Sequence, residues 1–299
     1  MNNKKFKIVK LCGGLGNQMF QYAFGQELEY RFGCEVLYDD YWFTLVKNHQ
    51  LAGNNKASHF TIRNYELNLF PIIPKLADRQ TVMTYFNADK PQTQDDINKK
   101  MMNDTNPFVV NPKMFEDTEI AYYNGYFQTP KYFENVKEKI KKEFTLPEIP
   151  KNDKINNKLL KEIQKHNSVF IHIRRGDYIN LGLELELTYY QKAIDYMQTH
   201  LKNPKFYVFG TDCEDWIKKE FKIKPKFKFI GNHNVKNGED WKDLKLMQEC
   251  KHAILANSAF GWWAAYLSDY EGKIVIAPTP WIENEDGIIC DNWVKINRK

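Results

Sequence analysis

The chain has 299 residues, 42% of them hydrophobic and 27% charged, which is typical of a soluble globular protein with one large or two medium domains. Its net charge of +5 fits anionic small molecules, nucleic acid or an anionic membrane surface about equally, and demands none of them. The apolar stretch near the N terminus is too short for a secretory signal, and no segment approaches the ~18 apolar residues of a membrane span.

The first predicted elements form a βαβ unit. Residues 6–11 are β-prone, and apolar residues then recur at helical spacing from Phe20 to Leu28. Gly33 supplies a helix stop before EVLY, the second strand. The stretch from 40 to 120 is less regular and contains no readable series of elements.

The glycine loop GGLGNQ, residues 13–18, follows the first strand and opens the helix. Its spacing does not match a dinucleotide-binding loop, because Met19 occupies the third glycine position, and no phosphate-loop lysine follows. Gly14 permits close approach of a ligand, and the amides of Asn17 and Gln18 suit sugar hydroxyls, so we expect these three residues to bind a sugar. A helix cap with a tight turn is the structural alternative.

A helix is predicted within TPKYFENVKEKIKKEF, with its apolar residues on one face. TLPEIPKND is the best candidate for a linker between two domains, which we place at 1–150 and 151–299. Strands and helices then alternate, which predicts a parallel sheet covered on both faces with ligands at the carboxyl ends of its strands. The predicted strands are SVFIHI, KFYVFG, KFKFI, HAILA and KIVIAP, with helices near 153–166, from Thr188, capped by Asp212, around 240–249 and from about 258.

HIRRGDY lies where the strand SVFIHI ends. Strand alternation puts His172 and Arg174 on one face and Arg175 on the other. Arginine makes planar, charge-assisted contacts with phosphate oxygens, so the cluster indicates an anion site, in which Asp177 holds an arginine by an ion pair. The alternative is a structural Arg175–Asp177 pair beside a core histidine whose hydrogen bonds are satisfied.

Two further polar stretches follow predicted strands. In GTDCEDW, Asp212 is first of all a helix cap, since Asp212 and Asp215 have capping-box spacing. In NSAFGWW, the free N–H groups of a helix start at Asn257-Ser258-Ala259-Phe260 would form a second anion site, and Phe260 could stack on a base. Trp262 and Trp263 are expected in the core.

No metal-site motif occurs in the sequence: D-x-D, H-E-x-x-H, an EF-hand loop and a Cys/His set are all missing. A metal-dependent site is therefore disfavoured. The five cysteines are scattered and contain no CxxC, as expected of reduced, mostly buried thiols in a cytoplasmic protein; they are Cys12, Cys34, Cys213, Cys250 and Cys290.

Six segments in order resemble the alpha-1,2-fucosyltransferases of glycosyltransferase family 11, and the resemblance as a whole covers the chain from about residue 7 to residue 282. They are GGLGNQMFQYA, RNYELNLF, NGYFQTPKYF, HIRRGDY, DLKLMQECKHAILANSAFGWWAAYL and IVIAPTPWI. HxRRGDY alone is shared with other fucosyltransferases, whereas the full ordered set is specific. The family usually shows NSTFSWW, so hydroxyls are lost here at Ala259 and Gly261, and donor affinity would fall by ~1 kcal/mol if the missing threonine hydroxyl made a direct bond.

The resemblance implies a GT-B-like α/β fold: two Rossmann-like lobes with parallel sheets and an interlobe active-site cleft. The lobe 1–150 would bind mainly the acceptor, and the lobe 151–299 would bind GDP-fucose. The implied reaction is inverting transfer of L-fucose from GDP-β-L-fucose to a galactose 2-hydroxyl, with no metal or other cofactor. The surface-glycan precursor would be of O-antigen or capsule type, and the enzyme cytoplasmic, with at most peripheral membrane contact.

The resemblance also implies residue roles. Arg174 would bind the diphosphate and His172 the nucleoside side, with Arg175 and Asp177 bracing the site. Asp212 would contact guanine or ribose, the backbone at Asn257-Ser258-Ala259-Phe260 would hold the β-phosphate, and Asn17 would lie near the reacting centre. The group that deprotonates the acceptor hydroxyl is left open among Asp39, Asp40, Glu184 and Glu186. The alternative is a dissociative transition state that needs little help from a base, with Asn17 orienting the acceptor.

Three alternatives stay open. One is a fucosyltransferase of another linkage, such as alpha-1,6, built on the same HxRRxD site. The second is a non-catalytic nucleotide-sugar or glycan-binding protein. The third, a nucleic-acid binder, rests only on the +5 charge and dispersed lysines, so nucleic acid is not expected as a partner.

Overall fold

The structure is a computed structural model that describes residues 6–51, 63–87, 90, 93–117, 121–211, 213–222, 225–231 and 233–299. The chain divides into two compact units, Met1–Thr145 and Leu146–Lys299. Each unit is an α/β layer structure around its own parallel sheet. No helix in these described ranges is long and apolar enough to cross a membrane.

The first unit contains a four-stranded parallel sheet in the order β2-β1-β4-β3. The predicted βαβ start is confirmed, and Gly33 ends α1 in the left-handed conformation at φ 59°. Two three-residue strands in the less regular middle, β3 and β4, were not predicted. The elements are β1 (Phe6–Lys10), α1 (Leu15–Phe32), β2 (Glu35–Asp39), α2 (Tyr41–Leu51), α3 (Arg79–Phe86), α4 (Gln94–Asn98), β3 (Met101–Asn103), β4 (Tyr122–Asn124) and α5 (Lys137–Glu143), with 3₁₀ turns at Leu67–Leu69, Pro112–Phe115 and Pro130–Val136.

Helix α1 is the centre of this unit. Every residue from Leu15 to Leu28 except Asn17 is buried, so the helix is covered all round rather than on one face. Its buried polar side chains are consequently tied to other segments by hydrogen bonds. One such contact explains a wrong prediction, the continuous helix within TPKYFENVKEKIKKEF.

That segment is instead the 3₁₀ turn Pro130–Val136 followed by α5, with non-helical torsions at Phe133 (φ −138°, ψ 30°). The buried carboxylate of Glu27 in α1 accepts hydrogen bonds from the backbone and side-chain N–H groups of Asn135. The predicted apolar face is nevertheless buried: Tyr132, Phe133, Val136, Ile140 and Phe144 all lie in the core. Burial of that face therefore did not require a regular helix.

The second unit contains a six-stranded parallel sheet in the order β10-β9-β8-β5-β6-β7. All five predicted strands are present, whereas the edge strand β10 was missed. The elements are α6 (Lys154–Lys165), β5 (Ser168–Arg174), α7 (Gly176–Leu181), α8 (Leu187–His200), β6 (Lys205–Thr211), α9 (Glu214–Lys219), β7 (Phe227–Phe229), α10 (His233–Lys236), α11 (Trp241–Gln248), β8 (His252–Ile254), α12 (Ala259–Leu267), β9 (Val275–Thr279) and β10 (Val294–Asn297).

Strand β5 is buried from Ser168 to Ile173 between β6 and β8. Such a central parallel strand reads as a continuous apolar run, which is why SVFIHI was recognisable. Trp262 and Trp263 are fully buried, so their predicted place in the core is confirmed. All five cysteines are free thiols; Cys213 and Cys250 are buried and the other three are half-buried.

Candidate active site

The carboxyl end of β5 brings together a buried histidine and two arginines. His172 is 6% exposed, and the half-buried Arg174 ends the strand. The prediction that Arg175 lies on the opposite face of the strand was wrong. The strand ends at Arg174, and Arg175 is the N-cap of α7 with φ −120° and ψ −85°. The two arginines leave the sheet edge along different paths.

His172 is held as a neutral ring. Burial, followed by the charge of Arg174, lowers the pKa of His172 to about 3. Its Nδ1 has no hydrogen-bond partner among the described residues, so His172 is buried without being satisfied. Gly261 of α12 faces this nitrogen: a Cβ added at Gly261 would lie 2.4 Å from Nδ1. The glycine therefore makes room for the imidazole.

Aromatic rings lie beside both guanidinium groups. The Cζ atom of Arg174 lies 5.3 Å from the ring centre of Tyr178, and that of Arg175 lies 4.6 Å from the ring centre of Trp216 in α9. Tyr178 also donates a hydrogen bond of 3.1 Å to the carbonyl oxygen of Asn257. This bond links HIRRGDY to NSAFGWW.

The start of α12 presents free backbone N–H groups beside this cluster. Ser258 is the N-cap in extended conformation, and its side chain makes no capping hydrogen bond. The N–H groups of Ala259 and Phe260 open the helix, and the Phe260 ring centre lies 6.2 Å from that of His172. Asn257 donates through Nδ2 to the Leu183 carbonyl at 2.9 Å. The arrangement can bind an anion through a helix N-terminus and two arginines.

Two of the residues predicted to bind GDP-fucose, Asp177 and Asp212, cannot be compared with their predicted contacts. Asp212 lies outside the described residues, and nothing is described of the Asp177 side chain, so their predicted contacts stay predictions. Helix α9 begins at Glu214 with Cys213 as its N-cap, and the predicted cap at Asp212 lies outside the described residues.

At the carboxyl end of β1 in the first unit, the glycine loop holds Asn17 in a defined position. Gly13 has φ +78°, and a Cβ added there would lie 2.4 Å from Asn17 Nδ2. On its other side, Asn17 Oδ1 accepts a hydrogen bond of 2.8 Å from Nε2 of Gln128. Asn17 is half-buried, the one such residue in the buried stretch of α1.

Gln18 anchors the loop to a distant segment. Its side chain is fully buried: Nε2 donates to the carbonyl oxygens of Gly13 (3.0 Å) and Asn64 (2.8 Å), and Oε1 accepts from the Glu66 N–H (2.9 Å). The sequence predicted that Gln18 contacts the sugar directly. To do so, its side chain would have to break these hydrogen bonds. Gly14 remains half-buried, with the Arg63 guanidinium 3.5–3.7 Å from a Cβ added at Gly14.

A second glutamine joins the loop to NGYFQ. Gln21 accepts from the Cys12 N–H at 3.0 Å and donates to the Gly125 carbonyl at 2.9 Å. No role was predicted for Arg63, Gln21 or Gln128. Arg63 lies in RNYELNLF, Gln128 in NGYFQTPKYF and Gln21 in GGLGNQMFQYA, so the family resemblance was the signal that could have found them.

The four carboxylates that could deprotonate the acceptor hydroxyl differ in burial and in hydrogen bonding. Asp39 is buried, and its carboxylate accepts from Tyr122 Oη (2.7 Å) and the Tyr41 N–H (3.0 Å). Asp40 follows β2 at the same sheet edge as the glycine loop, and burial raises its pKa, with the charge of Asp39 a weaker cause acting in the same direction. In the second unit, Glu184 is half-buried and Glu186 is exposed.

The sequence model of glycosyl transferase family 11 matches residues 2–297, so the chain belongs to this family and is a glycosyltransferase. The alpha-1,2-colitosyltransferase of Escherichia coli is 32% identical over 310 residues, covering 97% of this chain and 99% of that protein. The galactoside alpha-(1,2)-fucosyltransferase 1 of Rattus norvegicus is 30% identical over 150 residues, covering 46% of this chain and 39% of that protein.

Among solved structures, NodZ alpha-1,6-fucosyltransferase co-crystallised with GDP is similar, with a TM-score of 0.51 over 88% of this chain and 92% of that chain. Its 14% sequence identity shows likeness of fold alone. The GT-B-like class that the sequence predicted, with two parallel-sheet α/β units, is confirmed.

Proposed function

We propose that the protein is an inverting galactoside alpha-1,2-fucosyltransferase that uses GDP-β-L-fucose and needs no metal. The observation that carries the proposal is the β5 edge, where Arg174 lies beside Tyr178, which is bonded to Asn257 just before the start of α12, and Arg175 follows as the N-cap of α7. The family and its alpha-1,2-transferring relatives support the linkage.

The donor chemistry follows from the charge that develops when GDP leaves. Cleavage of the fucosyl bond places negative charge on the β-phosphate, and fixed donors stabilise it more in the transition state than in the ground state. Arg174 binds the diphosphate, and the N–H groups of Ala259 and Phe260 bind the β-phosphate. The buried His172 stays on the nucleoside side as a neutral ring, with its Nδ1 turned to Gly261 of α12.

The first unit takes the galactoside. Asn17 contacts the acceptor at the reacting hydroxyl, with Gly14 leaving space for the sugar beside Arg63. Asp40 is the base among the four candidates, since Asp39 is committed to two hydrogen bonds and burial gives Asp40 a pKa above its ordinary value. Transfer should then fall as the pH drops through that raised pKa. The acceptor is a surface-glycan precursor of O-antigen or capsule type, made on the cytoplasmic side.

The test is GDP release from GDP-fucose in EDTA against a panel of galactosides, for wild type and Arg174→Ala. We expect release with a type 1 or type 2 galactoside, an alpha-1,2-linked product, and about a 10²–10³-fold loss in the variant. An alpha-1,6-linked product, or GDP binding without any release, would refute the proposal and favour the other-linkage or binding-protein alternative, respectively.

A second donor is favoured by one comparison. The full-length relative at 32% identity is named for transfer of colitose, so GDP-colitose belongs in the same panel. A higher kcat/KM with GDP-colitose than with GDP-fucose would replace fucose by colitose in the proposal and leave the alpha-1,2 linkage to be settled by product analysis.

A further inference from the structure

Gln128 and Asn17 form an amide–amide hydrogen bond between segments 111 residues apart. Nε2 of Gln128 donates to Oδ1 of Asn17 at 2.8 Å. This contact belongs to the first unit and involves no charged group. It defines which end of the Asn17 amide is engaged by the protein and which end is left for a ligand.

The carbonyl end of Asn17 is engaged and the NH₂ end is available. Oδ1 faces Gln128, and Nδ2 lies over Gly13, where a side chain would overlap it at 2.4 Å. Within the described residues, Asn17 Nδ2 donates no hydrogen bond. An amide held in this way offers hydrogen bonds to an oxygen atom, and its own oxygen is already in use.

The residues on both sides of Gln128 are fixed by packing and hydrogen bonds. The preceding Phe127 has φ +51°, is fully buried and stacks on Phe24 with ring centres 3.9 Å apart. Its N–H donates to Asp104 Oδ2 at 2.9 Å. The following residue, Thr129, caps the 3₁₀ turn Pro130–Val136. Gln128 is therefore held from both sides, which suits a residue that orients another.

We propose that Gln128 is a positioning residue that fixes the Asn17 amide as a hydrogen-bond donor toward the acceptor oxygen. The inference rests on the proposed function and deepens it, because it divides two tasks in the first unit. Asn17 stabilises the oxygen that attacks the sugar, and it does not remove the proton. Deprotonation then falls to another group, and Asp40 is the candidate already named.

The kinetic test compares Asn17→Ala, Gln128→Ala, their double variant and Gln128→Glu. We expect kcat to fall about 100-fold in Asn17→Ala and about tenfold in Gln128→Ala, with the double variant no slower than Asn17→Ala. Gln128→Glu should be at least as slow as Gln128→Ala, because a carboxylate accepts hydrogen bonds and would turn the NH₂ end toward itself. GDP affinity should be unchanged throughout.

The matched control is Asn124→Ala. Asn124 donates through Nδ2 to Asn103 Oδ1 at the same 2.8 Å, at the end of the neighbouring strand, without touching Asn17. This variant should keep kcat within about twofold of wild type. Wild-type kcat in Gln128→Glu, or multiplicative losses in the double variant, would overturn the proposal.

A readout independent of activity separates this inference from the proposed function. In ¹⁵N-labelled protein, the side-chain NH₂ signal of Gln128 is assigned by its loss in Gln128→Glu. It should shift in Asn17→Ala, and it should keep a hydrogen-bonded position in Asn17→Asp, whose carboxylate still accepts. If the Gln128 signal did not shift in Asn17→Ala either, the hydrogen bond would be refuted, even in a protein that transfers no fucose. Absence of fucosyl transfer with the expected shifts would instead refute only the function.

Discussion

The two units present ligand groups at equivalent sheet edges but build them differently. At the end of β5, the groups come from two nearby motifs and include two guanidinium groups and a helix start. At the end of β1, three amide side chains are each tied to a residue 9 to 111 positions away, and two charged side chains, Arg63 and Asp40, share that edge. The first arrangement suits an anion whose charge increases during reaction, and the second suits a neutral sugar that must be oriented.

The largest effect should come from breaking the amide network. Gln18→Ala removes a fully buried side chain and leaves two carbonyl oxygens and one N–H without their partner. We expect the free energy of unfolding in urea to fall by ~2–4 kcal/mol. Gln80→Ala, which removes an exposed hydrogen bond to Thr84, should change it by less than ~0.5 kcal/mol. Equal losses in the two variants would contradict the bracing role.

The next effect concerns the space beside His172. Gly261→Ala places a methyl group 2.4 Å from Nδ1, and we expect a loss of ~1–3 kcal/mol in unfolding free energy, which outweighs the ~1 kcal/mol gained in helix propensity. Gly261→Ser should lose less, because its hydroxyl can donate to the unsatisfied nitrogen. Thermal unfolding measures the stability of both variants, and GDP titration measures their GDP affinity. A Gly261→Ser variant less stable than Gly261→Ala would contradict this account.

The second unit was far easier to predict from the sequence than the first. SVFIHI is an uninterrupted apolar run because β5 is buried on both faces, and arginines at its end are conspicuous against that background. In the first unit, β3 and β4 have three residues each, too few for a periodic signal. The partners of Asn17, Gln18 and Gln21 are set by tertiary contacts, which neither spacing nor propensity encodes.

Local rules also failed where tertiary contacts or strand ends intervened. Alternation assigned Arg175 to a strand face one residue beyond the last strand residue, Arg174. The apolar period of 3.6 residues correctly gave the buried face around Phe133 but could not show that Glu27 would take the Asn135 N–H. Roles for His172 and Ser258 came from resemblance and remain predictions.

His172 at the β5 edge and Asn17 at the β1 edge should also differ in their response to acid. The pKa of His172 is lowered to about 3 by burial, whereas an unfolded histidine titrates near its ordinary 6.5. Between these values the unfolded chain binds a proton that the folded chain does not, so stability is present above pH ~6.5 and is lost as the pH falls toward ~3.

His172→Gln should therefore make the decline of unfolding free energy shallower by up to ~1.4 kcal/mol per pH unit in this range. Asn17→Ala removes a group that does not titrate, so its curve should run parallel to that of wild type. Urea unfolding at pH 4.5, 5.5 and 6.5 supplies the comparison. Parallel curves for His172→Gln and wild type would show that the ring is protonated in the folded state.

The smallest expected effect is a change in GDP affinity when a cation–π contact is removed in one unit or the other. Trp216→Leu removes the ring beside Arg175, and we expect GDP affinity to fall two- to fivefold, or ~0.5–1 kcal/mol. Trp216→Phe keeps a weaker π face and should lie between leucine and wild type. Tyr41→Leu breaks a similar contact in the first unit, where the Arg79 Cζ atom lies 3.8 Å from the ring centre, and GDP affinity should stay unchanged. If Tyr41→Leu weakened GDP binding as much as Trp216→Leu, the arginine–aromatic contact at the β5 edge would not be what distinguishes the donor site, and the contrast between a donor edge and an acceptor edge would fail.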